Sequence, residues 1–235
     1  DYIPQRRLTE EPNEKSIKKV LGYLKKFRVD FSNIVSNEKK NPLQSFEYIP
    51  VLRGWHDIKS GNEYTFSILF VELDDQEEME KRYGKKNLEN ALVVFQKYIE
   101  RHVNALGGRI WIWGRFGGIV LFPFNSNECN SVLSGFRIVM YKYLHDVEES
   151  YFPNFISFRL ALHLGNLVYQ EHNKGEVVSD SINSVFHLGQ KFAEPGNYYL
   201  TKEVFHYAPE PIKPYFKPVG TYEGRSIVRM RLPVL

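Results

Sequence analysis

Apolar residues in this chain recur at two spacings, and the alternation between them marks out its elements. Ile17, Val20, Leu21, Leu24 and Phe27 fall at helical intervals within residues 14–29. Lys18, Lys19, Lys25 and Lys26 occupy the other side, which predicts an amphipathic helix with a solvated basic face. Residues 1–13 are polar, and 36–63 carry the Asn, Lys, Pro and Gly of a linker, with a short strand around 48–52. Residues 66–73 then form a strongly apolar strand. Leu88, Leu92, Phe95, Ile99, Val103 and Leu106 line one face of a long helix that Gly107 ends. Residues 109–113 and 118–122 are β-prone and bracketed by glycines, so they read as a tight hairpin. Trp111 and Trp113, two positions apart in it, are expected on one face.

The pattern continues with a second long helix carrying Val132, Phe136, Val139, Tyr143 and Val147. A strand follows over 155–164, then a turn at Gly165-Asn166 and a short strand over 167–169. A helix is expected from about Ser181 to Phe192, a strand at 198–200 and a short helix at 202–205. The chain closes on a strand pair turning at Glu223-Gly224. Strand, helix, hairpin, helix, strand is the order of a ferredoxin-like βαββαβ core. The expected class is therefore α+β, a mostly antiparallel sheet with helices on one face, plus an N-terminal helical extension. The division expected is an extension over 1–63 and a main domain over 64–235.

Composition narrows the functional classes. Of 235 residues, 43% are hydrophobic and 15% aromatic, enough for an ordinary packed core. The 31 basic and 28 acidic residues nearly cancel, leaving +3, which argues against a nucleic-acid partner. Cys129 is the only cysteine, so no intramolecular disulfide forms and a cytoplasmic, reducing setting is expected. No apolar run reaches the roughly 18 residues of a membrane span, and no signal peptide is present, so no membrane insertion is expected in this segment. A first residue of Asp1 suggests a segment cut from a larger protein, with any membrane anchor outside it.

Four stretches together carry a resemblance to a known family. Ser67-Ile68-Leu69-Phe70-Val71-Glu72-Leu73-Asp74 is similar to a first strand ending in Phe-Ala-Asp-Ile. Arg109 to Phe122 looks like a metal-binding hairpin. Phe158-Arg159-Leu160-Ala161-Leu162-His163-Leu164-Gly165 resembles an Arg-x-Gly-Ile-His-x-Gly strand and turn, and Ser179-Asp180-Ser181-Ile182-Asn183 a Gly-Asp-x-Val-Asn helix start. Ala193-Glu194-Pro195-Gly196, Leu200-Thr201 and the stretch from Val219 to Gly224 continue it. In this order they resemble the class III adenylyl/guanylyl cyclase catalytic domain, over roughly residues 64–232. Diguanylate cyclases share the core, but their Gly-Gly-Asp/Glu-Glu-Phe hairpin is not found in the sequence.

The resemblance implies a defined chemistry. Such domains pair head to tail, and two metal ions held by two carboxylates bridge the ribose nucleophile and the phosphates. An Asn and an Arg from the second subunit steady the ribose and the developing phosphate charge. A Lys and an Asp read the adenine edge. In this chain the first metal carboxylate aligns with Glu72 and the second with Arg115, a permanent cation with no acceptor. At about 4 Å and an effective dielectric near 20, each misplaced charge is worth roughly 4 kcal/mol. The adenine-reading pair aligns with Trp111 and Glu176, the ribose asparagine with Asn183 and the phosphate arginine with His187.

Two readings follow. In the first, the domain is a pseudoenzyme: catalytically degenerate, without a metal cofactor, acting in a signalling protein as a regulatory, dimerising or ligand-sensing module. Its partners would be a second cyclase-type domain and a nucleotide or other small ligand. Trp111, Glu176 and Arg115 would be the nucleotide-facing positions, and the N-terminal helix the connection. In the second, it is an active adenylyl or guanylyl cyclase with Mg or Mn. Glu72 and Asp74 would then hold one ion, while Arg115 contacts the triphosphate. For Arg115, pairing with Glu72 and gripping a phosphate both stay open. Glu72, Asp74 and Asp75 are otherwise expected at a solvated strand end, with Glu77 and Glu78 in the acidic first turn of a helix. His163 is expected to be packed rather than catalytic, and His187 to be at the surface or an interface.

Overall fold

The computed structural model describes residues 54–114, 117–125, 129–148, 157–171 and 179–230. The helix expected over 14–29 and the strand over 48–52 lie outside them. Its elements are β1 (Glu63–Leu73), α1 (Gln76–Tyr83), α2 (Lys85–Asn104), β2 (Arg109–Gly114), β3 (Gly117–Pro123), α3 (Asn130–Glu148) and β4 (Phe158–Val168). There follow α4 (Asp180–His187), a π-helical turn (Leu188–Phe192), β5 (Tyr198–Thr201), α5 (Lys202–Phe205), β6 (Phe216–Tyr222) and β7 (Arg225–Met230).

Among the described residues, seven strands form one sheet in the order β2-β3-β1-β4-β5-β7-β6. The first four give the ferredoxin-like arrangement, with β1 central and antiparallel to both β3 and β4. β5 joins parallel to β4, and the β6–β7 hairpin completes the sheet. The Glu223-Gly224 turn is there as expected, both residues left-handed at φ 47° and 76°.

The helices lie on both faces of the sheet, not on one. Phe66, Ile68 and Phe70 of β1 cluster with Ile119, Leu121, Ala161 and Tyr199 beneath Ile182, Val185 and Leu188 of the α4 segment. Intervening residues such as Leu69 and Leu160 are equally buried and point, by the pleat, to the other side. There Phe95 of α2 meets Phe158, and Gly135 of α3 lies against Tyr198. A continuous apolar run such as 66–71 is what a strand covered on both faces requires.

Three local features differ from the expected pattern, each for a packing reason. β4 runs unbroken through Gly165-Asn166, which pair with Phe66 and Thr65. Gly165 serves close approach rather than a turn: a Cβ there would stand 2.3 Å from Ser181 Oγ. The helix expected to Phe192 changes at Leu188 to π geometry, closed by Ala193 N–H bonding Leu188 O at 2.8 Å. Gly189 in that turn sits on the Phe70 ring, 2.2 Å from where its Cβ would be. Finally, β2 is bulged between Ile110 and Ile112. The extra residue reverses the alternation, so Trp111 joins the α4-face cluster while Trp113 packs on Phe95 at 5.8 Å on the other face. Trp55, in the stretch read as linker, also packs on the α4 face, 6.0 Å from Phe66 and 5.8 Å from Tyr169.

Candidate functional site

The carboxyl end of β1 brings Glu72 opposite Arg159 of β4 and Gly117 of β3. Directly opposed residues of an antiparallel pair project from the same face, so acid and guanidinium are set side by side by register alone. Arg159 Nε lies 2.6 Å from Asp74 Oδ1 and 3.5 Å from Glu72 Oε2, and its Nη1 donates to Ala193 O at 3.3 Å. Asp74 has a fully enclosed side chain. Its Oδ2 accepts from Ser157 Oγ at 2.7 Å and from the Gly196 N–H at 2.8 Å. Three donors, one of them charged, offset the cost of burying this carboxylate. Burial pushes the Glu72 carboxyl above its ordinary pKa and the Asp74 charge adds to that. Arg159 and a hydrogen bond from Gln190 act the other way.

The solvated strand end expected for Glu72 and Asp74 is therefore not what forms. Asp74 is enclosed and Glu72 partly so: the 193–197 connection supplies Gly196 N–H to Asp74 and Ala193 O to Arg159. Only Asp75, Glu77 and Glu78 are exposed, the last two in the first turn of α1. Beside them opens a cleft of about 780 Å³, where, among the described residues, Glu72, Asp74, Asp75, Glu77, Glu78 and Glu80 face Lys81 and Arg159 as the only cations.

Among the described residues, this donor set does not fit a pair of dications. Both Asp74 oxygens are taken by protein donors, and Glu72 faces a guanidinium. Among the described residues, no three His, Cys, Asp or Glu side chains converge as a metal cluster. Arg115 and Glu176 lie outside the described residues, so the expected pairing of Arg115 with Glu72 is not described. The guanidinium that Glu72 meets is that of Arg159, a residue of the Arg-x-Gly-Ile-His-x-Gly-like strand that carries no site role in the sequence pattern; antiparallel register of β1 with β4 is the signal that pairs them.

Two of the remaining positions, Trp111 and His187, are engaged. Trp111 spends its indole N–H on Gln170 O at 3.0 Å. Asn183 is exposed on α4, and His187 follows one turn later. His187 Nδ1 lies 3.1 Å from Glu223 Oε1 in the β6–β7 turn, both side chains 44% exposed. His163 is buried, with Nδ1 3.4 Å from Thr201 Oγ1. Burial, aided by Arg225 and opposed by Glu203, lowers its pKa to about 4.

The catalytic core of a rhodopsin-guanylyl cyclase with converted specificity, in complex with ATPalphaS, superposes on this chain at a TM-score of 0.61. It is 11% identical, over 72% of this chain and 96% of that one. The fold is that of a class III nucleotidyl cyclase catalytic domain. An adenylate/guanylate cyclase/hydrolase from Silicibacter pomeroyi has the same cyclase fold at a TM-score of 0.58 and 15% identity, over 74% of this chain and 99% of its own. So does a non-canonical dimeric guanylyl cyclase domain of the RhoGC fusion protein from Blastocladiella emersonii, at 0.58 and 14%, over 73% and 98%. No protein-family model and no curated protein matches the chain. None of the described helices is long and apolar enough to cross a membrane.

Proposed function

We propose that this chain is a catalytically silent cyclase-type domain serving as a regulatory and dimerising module in a signalling protein. The observation that carries the reading is that the positions aligned with the phosphate arginine and the adenine lysine are a histidine and a tryptophan already paired within the chain: His187 with Glu223, and the Trp111 N–H with Gln170 O. Arg115, aligned with the second metal carboxylate, offers a cation no acceptor. A polyphosphate entering the cleft would add negative charge to walls already rich in carboxylates. Pairing with a second such domain is the proposed mode of action; a RhoGC cyclase domain of similar fold is found both as a non-canonical dimer and as a monomer. A cytoplasmic setting agrees with the buried, unpaired Cys129.

The test is production of cyclic AMP and cyclic GMP from ATP and GTP with magnesium and with manganese. No turnover above a buffer blank is expected. Clear turnover that disappears in Glu72→Ala would overturn the proposal and establish an active enzyme with an unorthodox metal site.

A further inference from the structure

Two clusters on the α4 side of the sheet are tied to the same short stretch of chain. At one end, His187 contacts Glu223 at 3.1 Å, and Phe192 lies against Tyr222 with ring centroids 5.2 Å apart. These two contacts fasten the β6–β7 turn to the π-helical turn. At the other end, Gln190 bonds the Glu72 carboxylate and Ala193 O accepts from Arg159 at 3.3 Å. The Gly196 N–H then caps Asp74 at 2.8 Å. Between the ends, Gly189 rests on the Phe70 ring, so the segment has a fixed bearing on β1.

The intervening geometry is the kind that has an alternative. A π-helical turn holds one more residue than an α-helical turn and is short of the favoured packing. Glu223 is a non-glycine residue at φ 47°, in a hairpin turn where Asn or Gly is at home. Its left-handed backbone is held in a conformation that places its carboxylate on His187.

We propose that residues 187–196 are a conformational link that couples the β6–β7 turn to the Glu72–Arg159–Asp74 cluster. A ligand or protein surface that draws Glu223 or Tyr222 off the segment relaxes the π-helical turn. That relaxation withdraws Gln190 and the 193–196 connection from the three charged side chains. Linkage runs both ways: altering the charged cluster loosens the turn. The link belongs to the folded domain and holds whether or not the domain turns over a nucleotide.

Hydrogen–deuterium exchange of the whole chain, with nitrogen-15 spectra of the Arg159 Nε–H, tests it. Glu223→Gln and His187→Gln are each expected to speed exchange across 188–196 by about threefold or more and to move the Arg159 resonance. Glu72→Gln is expected to speed exchange at 220–225. Should either turn variant lose its fold by circular dichroism, Glu223→Asp, which draws the carboxylate back by one carbon, is read in the same way. The proposal is overturned if the effects stop at the hairpin and Phe192 while the Arg159 resonance stays in place.

Discussion

Arg159 and Asp74 meet at 2.6 Å, and the Asp74 side chain has no contact with solvent. A charge so enclosed is held by its partners alone, and that dependence sets the first expectation. Arg159→Met removes the cation and leaves a buried carboxylate short of its strongest donor. Urea unfolding should show a loss of about 3–5 kcal/mol. A loss under about 1 kcal/mol would mean that Ser157 and Gly196 suffice.

Glu72 carries the opposite sign of effect. Its pKa is raised in the fold, first by burial, so its ionised form is disfavoured there relative to the unfolded chain. That penalty is present above the folded pKa and vanishes once the carboxyl is protonated in both states. Glu72→Gln should therefore raise stability at pH 7 and lose that advantage at low pH. Unfolding midpoints at the two pH values check this, and a destabilised variant at pH 7 would refute it.

His163 makes stability fall on acidification. Its folded pKa is about 4 against an ordinary 6.5, so between these values the unfolded chain binds a proton that the fold does not. Its contribution is complete above pH 6.5 and is lost as pH falls toward 4, by about 3 kcal/mol in all. In His163→Gln the slope of stability with pH over that window should flatten against the parent. Parallel slopes would count against the assignment.

Gly189 is required by contact rather than by backbone freedom. An added Cβ would meet the Phe70 ring at 2.2 Å, a distance that forces one side to move. Gly189→Ala should cost about 1–3 kcal/mol in thermal or urea unfolding. It should also quicken exchange in the π-helical turn.

The chain's order of elements was legible from its apolar spacing, and so was the class of the fold. What escaped was set by contacts between residues far apart in sequence. Gly165 has the composition of a turn, but its purpose is the approach of Ser181 from α4. The faces of Trp111 and Trp113 follow a strict alternation until one bulge, invisible in the pattern, separates them. Within the site, aligned positions named Glu72 and His187, yet no local spacing revealed that Arg159 and Glu223 are the groups they meet. Those partners are fixed by strand register and by the docking of a distant hairpin.

The account turns on whether the β1 carboxylates accept metal. Calorimetric titration of manganese into the whole chain, with a non-hydrolysable ATP or GTP analogue present, measures that most directly. The expected result is no binding heat that depends on Glu72, because both Asp74 oxygens are already taken by protein donors and the second metal position aligns with Arg115. Saturable uptake of two ions per chain, abolished in Glu72→Ala, would contradict it.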